Sequence, residues 1–167
     1  MMKKLPPLHE ITAQDVMTAE PTTVDPEMSI RAFVETLEGL GVSGVPVVDK
    51  QGAVVGVVSK SDLLHACMDR ANDYEPTYLY ELMRGEENDE IGSAGSFHEP
   101  DIRVEDFMSD DPMTASPATP ISTLAKMMHD TQMHRIIIVD AEQMPIGIVT
   151  SLDLVRVIAE TPSPIRS

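Results

Sequence analysis

Two short segments carry most of the chemistry that can be read directly from this chain. Gly56-Val57-Val58-Ser59-Lys60-Ser61-Asp62 and Gly147-Ile148-Val149-Thr150-Ser151-Leu152-Asp153 each run from a glycine through two apolar residues to a hydroxyl, with an aspartate three positions on. A segment of this form leaves a strand and opens a helix. The hydroxyl and the first-turn N–H groups then face outward, where an anion or polar ligand can sit. The carboxylates of Asp62 and Asp153 can each accept two hydrogen bonds from vicinal hydroxyls, as an acidic residue does for ribose in dinucleotide folds. The same spacing is also that of a capping box, in which the hydroxyl satisfies an orphan N–H and the acid favours the helix start. One geometry can serve both purposes. A third group is His134-Arg135: the guanidinium can fork onto a phosphate, and the imidazole adds a further donor. A surface pair at a strand start is the alternative reading.

Other reactive types are scattered. His9, His65, His98 and His129 lack metal-ligand spacing with one another or with Cys67, so no metal site is expected. Asp110-Asp111 beside Asp106 reads as a solvated acidic helix end, and Met127, Met128 and Met133 as packing residues. Cys67 is a single thiol without an adjacent His, and forms no intramolecular disulfide. No P-loop or nucleophile elbow is present, so the chain is expected not to be an enzyme and to need no catalytic cofactor.

The elements that position these residues come in two copies. Shifting the chain by 91 positions aligns residues 12–64 with 103–155 without a gap, and 12 of the 53 pairs are identical, among them Asp15/Asp106, Met17/Met108, Thr23/Thr114, Gly56/Gly147 and Asp62/Asp153. In the first copy Ile30, Phe33, Val34, Leu37 and Leu40 form a helical apolar stripe, started by Asp25-Pro26 and ended near Gly39–Gly41. The runs 45–48 and 54–58 then predict two paired strands around the turn Asp49-Lys50-Gln51-Gly52. The second copy predicts a helix over 121–130, strands over 136–139 and 146–149, and a turn over 140–143. Each copy re-enters a helix, over 61–70 and 152–159. Strands this short cannot bury themselves alone, so two such units should pack together as a pseudo-two-fold pair. The connector over 65–100 reads as helix broken near Pro76, then a Gly/Ser/Glu-rich loop from Gly85 to Pro100.

With 28 acidic and 12 basic side chains among 167 residues, the formal charge is −16, which opposes nucleic acid and anionic membrane surfaces. The excess is local. Residues 69–111 carry a net −11 against −5 for the rest of the chain, and Lys60, His134 and Arg135 stand near the proposed clefts, so the acidity is not expected to exclude a mononucleotide. No apolar run approaches the roughly 18 residues of a membrane span, and no signal peptide is readable at the start, so a cytoplasmic protein is expected.

The set Gly41-Val42-Ser43-Gly44-Val45-Pro46-Val47-Val48-Asp49 with 56–63, and its second form Met133 to Asp140 with 147–154, resembles the CBS domain signature; Asp15-Val16-Met17-Thr18 and Glu105 to Ser109 are similar to that family's lead-in. The resemblance covers about two thirds of the chain. It implies an α/β (α+β) fold of two βαββα repeats, over 12–64 and 101–159, in a module that commonly forms a homodimer and binds adenosine-containing ligands in clefts between the repeats. Carried onto this chain, it places adenine against Thr23-Val24 with Val45-Pro46, and against Thr114-Ala115 with Ile136-Ile137. Ribose falls to the segments Ser59, Lys60, Asp62 and Thr150, Ser151, Asp153. A phosphate would sit near His134-Arg135, with its ribose near Asp62, whereas Asp153 would face Ser43-Gly44 and lack that cation. Ile137 stands where the first copy has Pro46, a departure from the family's common residue. The function implied is a non-enzymatic regulatory module for AMP, ADP or ATP, signalling through a dimer or an effector protein. The alternatives are a binder of S-adenosylmethionine and a dimerisation protein with empty clefts.

Overall fold

The computed structural model describes residues 10–69 and 102–161. The predicted order is observed in both copies. In the first, α1 (Ala13–Val16), β1 (Thr18–Ala19), α2 (Ile30–Leu40), β2 (Gly44–Val48), β3 (Val54–Ser59) and α3 (Lys60–Asp69) follow one another. In the second, a single 3-10 turn (Val104–Asp106) precedes β4 (Thr114–Ala115), α4 (Ile121–Thr131), β5 (Arg135–Val139), β6 (Pro145–Thr150) and α5 (Ser151–Glu160). The expected break near Pro76 and the loop from Gly85 to Pro100 lie outside the described residues.

Local chemistry accounts for the helix ends. Helix α2 starts at Ser29, whose Oγ accepts from the Ala32 N–H at 3.3 Å, and not at Asp25-Pro26 as the pattern predicted. The Asp25 carboxylate instead accepts the Glu27 N–H at 2.7 Å and closes its own tight turn, so it is spent before the helix begins. At the other end Gly41 takes φ 63°, the left-handed position that glycine enters without a Cβ penalty. The register-equivalent Gln132 takes φ 58°, a conformation in which a side chain costs energy.

The chain divides into two compact units that do not follow the linear repeat. One contains residues 10–22, 51–54 and 111–161, and the other 23–50, 55–69 and 102–110. The leading segment of each repeat therefore belongs to the unit built mainly by the other repeat. In the first unit β1 pairs antiparallel with β6, which pairs with β5, which pairs in parallel with β4. Helix α1 joins α4 and α5 on one face of that sheet, in a core of Ile11, Ala13, Val16, Leu124, Ile136, Ile138, Val149 and Val157. In the second unit Ser109 bridges Val57 on β3, and Val24 bridges Val47 on β2, reproducing the outer pairings at equivalent positions. Its core holds Phe33, Leu37, Val45, Val47 and Val58 with Ile102 and Val104, and the rings of Phe33 and Phe107 meet edge to face at 5.6 Å. Burying these apolar side chains away from water stabilises each unit by roughly 1.5–3 kcal/mol per fully buried Val, Leu, Ile or Phe before entropy is counted.

The exchange of lead-in segments explains identities that no local pattern required. Gly147 has no room for a side chain, since a Cβ there would touch Sδ of Met17 and lie 2.9 Å from its Cγ. Gly56 is closed in the same way by Met108 Sδ and the Ser109 carbonyl oxygen, each at 2.9 Å. Neither glycine has positive φ. Space, and not backbone freedom, selects glycine at both sites. The pairs Met17/Gly147 and Met108/Gly56 are thus one interlock used twice.

Candidate functional site

The junction of β3 with α3 and that of β6 with α5 have one geometry. Asp62 Oδ2 accepts the Ser59 N–H at 2.7 Å and the Ser59 hydroxyl at 2.6 Å, while Ser59 Oγ lies 3.4 Å from the Asp62 N–H it accepts from. At the second junction Asp153 Oδ2 accepts the Thr150 N–H at 2.8 Å and hydroxyl at 2.7 Å, and the Asp153 N–H donates to Thr150 Oγ1 at 3.4 Å. Both spacings are therefore capping boxes. Such reciprocal bonds satisfy orphan N–H groups and hold the helix start in one orientation. Each box engages one carboxylate oxygen, Oδ2, and fixes the direction of the other. Backbone bonds set each junction against the strand beside it: the Lys60 N–H donates to the Ser43 carbonyl, and the Ser151 N–H to the His134 carbonyl, both at 3.0 Å.

The two aspartates differ in what meets Oδ1. Arg156 Nη2 lies 3.3 Å from Asp153 Oδ1 and, in the same reach, 3.3 Å from the carbonyl of Val16 at the end of α1. The register-equivalent residue in the first copy is His65, which is exposed. Asp62 Oδ1 has no hydrogen-bond partner among the described residues. Arg156 was not singled out from the sequence, although its position three residues after Asp153 is the spacing at which helical side chains meet.

The strand residues divide by face, because successive side chains on a strand point to opposite sides. Val24, Val45, Ala115 and Ile136 lie with the helical cores. Their side chains are packing residues, and only their backbone groups remain for edge contacts. Val24 illustrates how far even those are engaged: its N–H donates to the Pro46 carbonyl, and its carbonyl accepts from Val48, both at 3.0 Å. Thr23, Pro46, Thr114 and Ile137 occupy the opposite faces, where Thr23 and Thr114 are half-buried but Pro46 and Ile137 are buried. In the β6, β5, β4 sheet Ile137 is opposite Ile148 and beside Thr114, and Arg135 is opposite Thr150. Residues directly paired in this way have Cβ atoms about 4.5–5.5 Å apart. Thr114, Ile137, Arg135 and Thr150 thus share one sheet face within a single unit. His134 is exposed just before β5, Arg135 and Ser151 are half-buried, and Lys60 is exposed at the start of α3.

A groove of about 130 Å³ lies between α2 and α3, lined by Val34, Leu37, Glu38, Lys60, Leu63 and Leu64. Of the residues predicted from sequence it contains only Lys60. Among the described residues no group of His, Cys, Asp and Glu is arranged to hold a metal ion, and no helix is long and apolar enough to cross a membrane.

Comparison with known proteins matches the family model described as CBS domain twice, over residues 13–69 and 104–160. An uncharacterized protein of Methanocaldococcus jannaschii, MJ1426, is 31% identical over 126 residues, covering 69% of this chain and 72% of that protein. The chloroplastic CBS domain-containing protein CBSX2 of Arabidopsis thaliana is 28% identical over 155 residues, covering 87% of this chain and 62% of that protein. A crystal structure of CBSX2 in complex with AMP superposes with a TM-score of 0.66 at 26% identity, covering 89% of this chain and 96% of that one. The CBS domain pair of MJ0100, solved with 5′-methylthioadenosine and S-adenosyl-L-methionine, shares the fold with a TM-score of 0.68 at 19% identity, over 89% of this chain and 96% of that one.

Proposed function

This chain belongs to the CBS domain family as a tandem pair, and on that premise we propose that it is a non-enzymatic regulatory module for an adenosine-containing ligand, with AMP, ADP or ATP preferred. The observation that carries the reading is the oriented carboxylate at each strand-to-helix junction. With Oδ2 locked in the capping box, Oδ1 of Asp62 is aimed and available to a ribose diol. The AMP complex of CBSX2, a relative matched over 87% of this chain, supports the choice of ligand class. In this reading Asp62 and Asp153 take ribose hydroxyls, and half-buried Thr23 and Thr114, beside the buried Pro46 and Ile137, mark the side of each strand pair on which adenine would lie. Arg135, with His134 beside it, supplies charge-assisted hydrogen bonds to phosphate, about twice as strong as neutral ones. Lys60 and Ser151 extend the polar rim of the first helical turns.

Binding regulates only if the ligand has different affinities for two states of the protein, so a second copy or an effector protein must read the change. Repeats over 12–64 and 101–159, joined by the 65–100 connector, form the proposed sensing module of a cytoplasmic homodimer.

Thermal unfolding with added AMP, ADP, ATP, S-adenosylmethionine or adenosine tests the reading. A ligand at a hundred times its Kd stabilises the folded state by about 2.7 kcal/mol, a shift that melting resolves readily. Absence of any shift at millimolar concentrations of all five would refute ligand binding and leave the dimerisation protein. Replacing Arg135 by Ala should weaken AMP more than adenosine; equal losses would remove its phosphate role.

A further inference from the structure

We propose that Arg156 is an internal competitor for the Asp153 carboxylate, and that it makes Asp153 the weaker of the two ribose sites; this rests on the ribose role proposed above. The two junctions make the same three capping-box hydrogen bonds. They differ at the oxygen left over. In one, the guanidinium of Arg156 lies 3.3 Å from Asp153 Oδ1, so both carboxylate oxygens are engaged before a ligand arrives. In the other, position 65 is an exposed histidine that makes no hydrogen bond or ion pair among the described residues, and Asp62 Oδ1 has no partner there.

The arginine is held from a second direction as well. The same Nη2 donates to the Val16 carbonyl, the last residue of α1, so the guanidinium is placed by a backbone acceptor as well as by its helix neighbour. A ribose hydroxyl approaching Asp153 Oδ1 must share or displace this donor, whereas no donor among the described residues has to be displaced at Asp62. The arginine side chain is 55% exposed, so water screens the pair and the competition is modest. Exposed pairs of this kind correspond to about a two- to fivefold change in affinity. The consequence is sequential occupancy: an adenosine ligand fills the Asp62 site first and the Asp153 site at higher concentration.

Isothermal titration with adenosine, an uncharged probe, tests the assignment. Asp62→Asn, whose amide oxygen can still accept from Ser59, isolates the Asp153 site; Asp153→Asn isolates the other. In the Asp62→Asn background, Arg156→Gln should tighten adenosine two- to fivefold, and Arg156→Lys should return it toward the starting value by restoring the charge. In the Asp153→Asn background, His65→Arg should weaken adenosine by a similar factor. A merely structural role for Arg156 would not produce opposite changes at two positions or be rescued by lysine. Unchanged or weakened adenosine binding in Arg156→Gln overturns the proposal while leaving ligand binding intact. A loss of AMP binding alone makes Arg156 a phosphate contact and also overturns it. If folded wild type and every variant fail to bind adenosine and AMP at millimolar concentration, the proposed function itself fails and this inference with it.

Discussion

Gly147→Ala tests the interlock between the lead-in segment and the sheet that receives it. Gly147 lies within β6 and has no positive φ, so alanine is allowed there by the backbone. On conformational entropy alone the substitution would stabilise the protein by about 0.5–1 kcal/mol. The packing predicts the opposite sign. The added Cβ would touch Met17 Sδ and approach Met17 Cγ and Cβ to 2.9 and 3.1 Å. Contact with the methionine Cβ means that a rotation of the flexible end cannot relieve the overlap; the backbone of residues 17–19 must move, and with it the pairing of Thr18 with Ile148 and Ala19 with Gly147. Overpacking of this kind costs about 1–3 kcal/mol, and the upper half applies because backbone is involved. Set against the entropic gain, the expected net loss is about 1–2 kcal/mol. At roughly 2–4 °C per kcal/mol for a chain of this size, the midpoint should fall by about 2–8 °C. Urea titration of the wild type, Gly147→Ala, Met17→Ala and the double variant gives the decisive quantity. Truncating Met17 makes the room that the added methyl group needs, so the double variant should be more stable than the sum of the single losses predicts, by about 1–2 kcal/mol. Additive losses, or a Gly147→Ala variant as stable as wild type, would refute the spatial account of this glycine.

Three further outcomes follow from local geometry. Gln132→Gly should raise stability by up to about 1 kcal/mol in denaturant titration, because it removes a side chain from a left-handed residue; the lost bond from Gln132 Nε2 to the His129 carbonyl limits the gain. Thr150→Ala should cost about 1 kcal/mol by removing the α5 cap, measurable as a lower urea midpoint, and should also weaken adenosine because Asp153 loses its fixed direction. Phe33→Ala, at a ring with no exposure that also meets Phe107, should cost about 3–5 kcal/mol by chemical denaturation. A loss under about 1 kcal/mol would show that the site is not packed as described.

The repeat, the secondary elements and the two capping boxes are legible in the sequence for a physical reason. Periodicity and capping act between residues a few positions apart, so Phe33 and Leu37 announce a helix, and Ser59 with Asp62 announces its neighbour's start, wherever the unit finally packs. The ribose candidates Asp62 and Asp153 stand out for the same reason, and the start of α2 differs from the pattern only because Asp25 and Ser29 are both capping types competing within four residues. What lies far apart in sequence is not readable there. The 91-residue register pairs Met17 with Met108 and Gly56 with Gly147 as like with like, but the physical partners are Met17 with Gly147 and Met108 with Gly56. Tertiary structure alone also separates Val24, Val45, Ala115 and Ile136, whose side chains pack in the cores, from Thr23, Pro46, Thr114 and Ile137 on the opposite faces, because a strand's alternation does not say which face the helices cover. It alone brings Arg156 to both Asp153 and the carbonyl of Val16, 140 residues away. Local composition determined the parts and the chemistry each can do; the burial of apolar faces between distant segments decided which parts meet.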